Sequence, residues 1–382
     1  MVKSWRLATI LVALVGLAAA ACSSSSASSS TKPAAAATAP RSFLSQLHTM
    51  TQVASTVPAN GDVNPYGVAV VRVSAGKLVA GDTLVSNFNS KSNVQGTGTT
   101  LVQLSPAGSP EMFANLARLP AGLSCPGGVG LTTALGILPG GWVVVGSLPT
   151  TAGGALPSGD PAGCLIVLNS HGTPVKTITG KNIVGPWDMA VTSSATSAEL
   201  FVSNALGGNT KTDHGAPVTG NCTVVRLDLA LSATAPPVLT STTVVGTQYP
   251  WKANKTALVL APTGLALGGN GTLYVDNTLT NTISAIPQAL TRTSALAATA
   301  TTIAAGGALN EPLGMALAPN GDLVVVNSKD GNAVEFSPAG KQLFIKTLIK
   351  NGAGDLFGIT TTAAGELVAV NDAKNVIDIY RP

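Results

Sequence analysis

EPLGMALAPNGDLVVVNSKDGN, residues 311–332, is punctuated like a repeat unit: a Pro-x-Gly element, a short apolar run, an Asn-Gly turn, a second apolar run, then Asn. Self-similarity decides the fold class, so the first question is whether the chain repeats it. It does. The Pro-x-Gly element recurs as NPYGVAV from Asn64, CPGGVGL from Cys125, GPWDMAV from Gly185, APTGLAL from Ala261 and, with Leu for Pro, DLFGITT from Asp355. Successive copies start 61, 60, 76, 50 and 44 residues apart. The later copies continue alike, since residues 268–286, 318–336 and 362–380 superpose without gaps. Asn-Gly between two β-rich runs is a strong hairpin signal, and a type I′ turn is expected at Asn270-Gly271 and Asn320-Gly321. Runs such as Leu323 to Val326 and Trp142 to Val145 are apolar on both faces, which suits strands enclosed between neighbouring sheets. No stretch beyond the amino terminus has a helical period.

Repeats of this length with several strands each are the signature of a β-propeller. The order Pro, Gly, apolar strand, turn Gly, apolar strand, Asp or Asn, further Asn and a third strand resembles the NHL-repeat propellers over residues 60–382. The expectation is an all-β, six-bladed β-propeller occupying residues 43–382. Copies one to three carry insertions after their second strands, at residues 89–97, 148–162 and 205–220. The sixth copy reaches Pro382 after its third strand. The segment FLSQLHTMTQVASTV, residues 43–57, has a β-compatible stretch at Thr51 to Val57 and is expected to complete that sheet, closing the ring and hiding an edge.

The amino terminus reads as an address. Lys3 and Arg6 precede an apolar run from Leu7 to Ala21, too short to span a bilayer as a helix and of the length of a signal-peptide core. It ends Ala19-Ala20-Ala21-Cys22, which resembles the bacterial lipobox with Ala where Leu is commoner. The resemblance implies a lipoprotein signal peptide over 1–21 and a lipid on Cys22. Residues 22–42 are a Ser-, Ala- and Pro-rich stretch with the composition of a tether. The expected location is outside the cytoplasm, on a bacterial membrane, facing periplasm or exterior, and the expected partners are that membrane through the anchor, with an envelope protein or saccharide as ligand.

Composition supports an exported β protein. Charged residues are 10% of the chain, and losing Lys3 and Arg6 with the leader leaves 19 basic against 17 acidic residues. No basic field is available to attract nucleic acid. With Cys22 lipidated, three cysteines remain, so one is unpaired. Cys125 and Cys164 read as opening the first and third strands of one blade, on one face, and a bridge between them is the first expectation. Cys164 to Cys222, across two blades, is the alternative.

Function is far less legible. Three readings compete: a binding module presenting the loops of one face to a protein or polar small molecule, an enzyme, and a structural part of an envelope assembly. The enzyme reading follows from resemblance to gluconolactonase, streptogramin-lyase and amidating-lyase propellers, which implies a metal-assisted hydrolase or lyase. His48, His171 and His214 are scattered, and no G-x-S-x-G or H-E-x-x-H motif is present. The Asn and Asp residues after second strands (Asn87, Asn204, Asp276, Asn277, Asn327, Asn371, Asp372) recur with the repeat and read as turn-closing residues that serve it. Function belongs where blades differ. Tyr66 and Trp187 could stack on a sugar if exposed, or pack at the blade junction. The residue before each Pro-x-Gly opens the innermost strand, and ring closure brings Glu311, Asp355 and Asn64 to adjacent blades. Two carboxylates and an amide oxygen suit Ca²⁺ or Mg²⁺, and gluconolactonase-like propellers hold a divalent ion at the channel in a similar way. The competing expectation is that Glu311 and Asp355 only cap strand-start amides.

Overall fold

The computed structural model describes residues 41–382 except 107, 109, 158–161 and 208–217. The leader, Cys22, most of the tether, His214 and parts of the second and third insertions lie outside the described residues. Arg41–Pro382 folds into six sheets in a ring, a six-bladed propeller, antiparallel apart from the short parallel pairing of Leu296–Ala297 with Val238–Asn254. The innermost strands are Val63–Val70, Leu131–Leu138, Pro186–Ser193, Pro262–Leu267, Pro312–Leu317 and Leu356–Thr361, one per blade. Each pairs on one side only, with the second strand of its own blade, and turns its other edge to the axis. Second strands are buried along their whole length in most blades, for example Trp142–Ser147 and Leu323–Asn327. That burial explains their Val-rich, two-faced apolarity. The strand Thr49–Ser55 pairs antiparallel with Val376–Arg381, so the sixth blade is built from both ends of the described chain.

Three local readings change. The element CPGGVGL is not the blade-two copy. Leu131 pairs with Ser147 as Pro65 pairs with Asn87 and Pro312 with Asn327. The true element is therefore Leu131-Thr132-Thr133, and Cys125 lies in the loop before it. Cys125 is nevertheless bonded to Cys164, with Cα atoms 5.4 Å apart, and Cys222 is buried and free. The bridge staples a loop to the third strand instead of joining two strands. The hairpins at Asn270-Gly271 and Asn320-Gly321 are not type I′, because only Gly271 and Gly321 have positive φ (77° and 87°). Gly271 N–H donates to Gly268 O at 2.9 Å and Gly268 N–H to Thr272 O at 2.8 Å, a tight turn followed by a left-handed glycine. Finally, the 76-residue interval in blade three reflects two long strands, Val218–Ala230 and Val238–Asn254, as well as a loop.

The recurring Asn residues serve the repeat, but by reaching the incoming chain more than their own turn. Asn204 Oδ1 accepts from Val184 N and Gly185 N at 3.1 and 3.2 Å, and Asn327 Oδ1 from Asn310 N at 3.1 Å. Ser147 takes this slot in blade two and accepts from Gly130 N at 2.9 Å. The Gly of Pro-x-Gly is a packing requirement: a Cβ on Gly314 or Gly358 would stand 2.0 Å from the carbonyl oxygen of Phe357 or Tyr66 in the next blade.

Candidate functional site: the central channel

The middle residues of the Pro-x-Gly elements meet over the axis at the end where the innermost strands begin. Tyr66 stacks on Phe88 and Phe357 with ring centroids 4.4 and 4.2 Å apart. Trp187 meets Tyr66 and Phe88 edge-on, both at 5.8 Å. These rings come from blades one, three and six, which are not all neighbours, so they cross the axis and plug it. Such offset and edge contacts are the favoured aromatic geometries. Tyr66 and Trp187 are 3% and 1% exposed. Neither offers a free face to a sugar; both are packing residues of the plug.

Beyond the plug lies a cavity of about 960 Å³ that runs along the innermost strands to the loops after them. Its lining mixes apolar and polar surface, with Val68, Leu135, Val191, Met315 and Ile359 among the residues on it. Two charged residues line it: Arg72 near the mouth and Asp188 next to the plug. The mouth is on the face opposite the three long insertions.

Asp188 occupies the Gly slot of blade three. Its Oδ2 accepts from the Leu265 N–H of blade four at 2.9 Å. The adjacent amide, Gly264 N–H, donates to Asp276 Oδ1 at 2.7 Å, and the Thr263 hydroxyl donates to the same oxygen at 2.5 Å. Two successive amides of one innermost strand thus hold carboxylates from two different blades. Burial raises Asp188 to about 8, and the neighbouring Asp276 adds to the rise. Burial likewise raises Asp276 to about 7. Asp276 Oδ2 is buried without a hydrogen-bond partner. In blades one and three the corresponding residue is serine, and it pins the next blade: Ser86 Oγ donates to Thr132 O and Ser203 Oγ to Thr263 O, both at 2.7 Å.

Asn64, Glu311 and Asp355 fare differently from one another. Glu311 Oε1 lies 3.3 Å from Lys329 Nζ, so its carboxylate is already paired. Asn64 and Glu311 share a left-handed backbone (φ 60° and 50°), and their N–H groups donate to Asn375 Oδ1 and Asn281 Oδ1 at 2.7 and 2.6 Å. These strand-start amides are therefore capped by asparagines, not by Glu311 or Asp355. Asp355 adjoins Asp372, which burial and that neighbouring charge raise to about 7. Asp372 in turn adjoins the Tyr66 phenol, which burial raises and which Asn64 flanks. Among the described residues, no three His, Cys, Asp or Glu side chains are grouped to hold a metal ion. His48 and His171 are exposed. Asp188 escaped notice in the sequence, although the signal was present: GPWDMAV has Asp where NPYGVAV, APTGLAL, EPLGMAL and DLFGITT have Gly.

No protein family and no curated protein matches this sequence. Solved structures match its shape. A gluconolactonase from Xanthomonas campestris is 12% identical, with 88% of this chain and 96% of that chain covered and a TM-score of 0.52. A structural-genomics target assigned to the gluconolactonases is 13% identical, with 89% and 96% covered and a TM-score of 0.51. The virginiamycin B lyase of Staphylococcus aureus is 13% identical, with 87% and 88% covered and a TM-score of 0.47. At such identities the likeness is one of fold: this chain is an all-β, six-bladed propeller with structural neighbours among the gluconolactonases.

Proposed function

We propose that this chain is a lipid-anchored, extracytoplasmic propeller that works as a binding module and takes a small, elongated ligand into its central channel. One observation carries the reading: the channel is plugged by aromatic rings at one end and holds a cavity of about 960 Å³ whose lining mixes apolar and polar surface. That volume lies in the range of small-molecule sites. The ligand site thereby moves from the insertion face, where polar loops point to a protein or saccharide, to the opposite mouth. The leader, Cys22 and the tether support an exported protein held at the membrane. The test is a filled channel. Hexan-1-ol should raise the melting temperature of the wild type, and Val191→Trp, on the channel wall, should abolish that rise while leaving the fold intact. Equal shifts in both proteins would place the ligand elsewhere.

The second reading is a metal-assisted hydrolase or lyase, and it rests on the strand-start end, on the outer side of the plug. Asn64 Oδ1 is buried without a hydrogen-bond partner in the corner that Asp355 and Asp372 share with Tyr66. An amide oxygen and two carboxylates fit a hard cation such as Ca²⁺ or Mg²⁺. Millimolar Ca²⁺ should then stabilise the wild type but not Asp372→Asn, and Glu311→Ala should keep the response because Glu311 is paired with Lys329. Absence of any calcium shift, together with no lactone hydrolysis, removes the enzyme.

A further inference from the structure

The blind end of the channel has an acid where the repeat calls for no side chain at all. Four blades have Gly in that slot, and blade two has Thr133, whose hydroxyl is spent on the Trp187 carbonyl. Asp188 is the acidic residue of the wall, and none of the three ion pairs among the described residues includes it. Its neighbours are the Leu265 and Met189 amides and a second carboxylate, Asp276, one of whose oxygens has no partner. A half-buried carboxylate in an enclosed space is costly to keep charged unless a positive charge or several donors face it. Here two backbone amides donate and, among the described residues, no cation pairs with it, so the group keeps a proton at neutral pH and a cation in the channel can take that proton's place.

Which cation fits follows from the surroundings. A hard metal ion needs six or more oxygens, and no such group of acids is assembled here. An alkylammonium needs less: three acceptors around the nitrogen, of which one is a carboxylate, and an apolar wall for its stem. The innermost strands turn their unpaired edges to the axis, where peptide carbonyls such as Trp187 O and Thr263 O each accept one hydroxyl and keep a second lone pair. Resting on the binding-module reading above, we propose that the channel ligand is an amphiphilic amine whose ammonium head is received by Asp188 at the blind end while its apolar body fills the channel.

The proton balance follows. At neutral pH the raised carboxyl of Asp188 holds its proton. Docking a protonated amine favours the carboxylate, and the proton passes to solvent, so one proton leaves for each amine bound. Asp276, fully buried in blade four, is the ionisable group that bears on Asp188, and Arg72 at the mouth is the other charged residue lining the channel. Arg72 repels a second cation at the mouth and so sets the ligand's direction.

The experiment uses the full mature chain with Cys22→Ser and three probes of equal length: n-hexylamine, hexan-1-ol and hexanoate. Calorimetry in two buffers of different ionisation enthalpy reads affinity and proton release together. The amine should bind about tenfold more tightly than the alcohol, the carboxylate more weakly than either, and release should approach one proton at pH 6.5 and decline towards pH 9. In Asp188→Asn the amine should fall to the alcohol's affinity with no proton released, while the alcohol is unchanged. Equal affinity of amine and alcohol for the wild type overturns the amine assignment and leaves the channel reading standing. So does an amine preference that survives in Asp188→Asn. Failure of all three probes overturns both. Should Asp188→Asn not fold, the wild-type amine preference and its proton release decide the matter alone.

Discussion

Leu44 and Glu335 are 291 residues apart in sequence and joined by a 2.8 Å hydrogen bond, from the Leu44 N–H to Glu335 Oε2. Phe43 N–H donates to the other oxygen at 2.7 Å. The carboxylate is fully buried, and Phe43, Leu44 and Leu47 pack with apolar residues of blades five and six. One helical turn, Phe43–Gln46, thereby has its first two amides satisfied by a side chain of blade five, while Ser42 caps the Ser45 amide. This clasp sets where the amino-terminal segment begins its path to the sixth blade.

Removing the acceptor should loosen that segment before the ring. Glu335→Ala leaves two buried N–H groups unpaired, and each charge-assisted bond is worth roughly 1.5–3 kcal/mol, so a loss of about 3 kcal/mol in urea unfolding is expected. Limited proteolysis should cut between residues 43 and 57 earlier in the variant. An unchanged cleavage pattern would show that apolar packing alone holds the segment.

Trp187 spans the plug from blade three and is 1% exposed. Trp187→Ala should cost about 3–5 kcal/mol, as large-to-small changes in cores do. It should also open the channel towards the insertion face. Hexan-1-ol should then restore more stability to the variant than it adds to the wild type. No difference between the two would place the tryptophan outside the channel's closure.

Cys125 and Cys164 are separated by 39 residues, and closing a loop of that size by a disulfide is worth up to about 4 kcal/mol through the unfolded chain. Cys125→Ser with Cys164→Ser should lose a few kcal/mol. Thiol titration in denaturant should find Cys222 alone if Cys22 carries a lipid, and two thiols if it does not. Three or more free thiols would refute the bridge.

The fold was legible because packing repeats itself. Pro-x-Gly recurs wherever one innermost strand must pass within 2.0 Å of where the Cβ would otherwise meet its neighbour, as at Gly314 and Gly358. Asn recurs because it anchors the entering chain, as Asn204 and Asn327 do, or closes its own turn, as Asn277 does. Blade two was misread because it keeps the geometry without the letters: Leu131-Thr132-Thr133 stands in for Pro-x-Gly, and an unrelated Pro126-Gly127-Gly128 lies five residues earlier. The site was harder to read because its parts are drawn from different blades. Asp188 and Asp276 are far apart in sequence and meet only through adjacent amides of a third segment. Glu311 looked like a ligand in one dimension, but Lys329 lies on the same loop cluster and claims it.

The last prediction concerns pH. In the folded chain Asp188 is raised to about 8 and Asp276 to about 7, burial being the first cause of each, while an unfolded aspartate titrates near 3.8. Between these limits the folded state holds protons that the unfolded state has lost, so unfolding releases them and stability falls as pH rises. Asp372, raised to about 7, acts in the same direction. The contribution is fully present below the unfolded value and is lost as pH climbs through the folded ones. The melting temperature should therefore be higher at pH 5.5 than at pH 8.5. Asp276→Asn keeps an oxygen for the Gly264 and Thr263 donors and places an NH₂ where the protonated Oδ2 would stand. It should match the wild type at pH 5.5 and exceed it at pH 8.5, flattening the profile. A wild-type stability that is constant or rising across this range, or a variant that loses equally at both pH values, would show that the folded chain does not hold these protons.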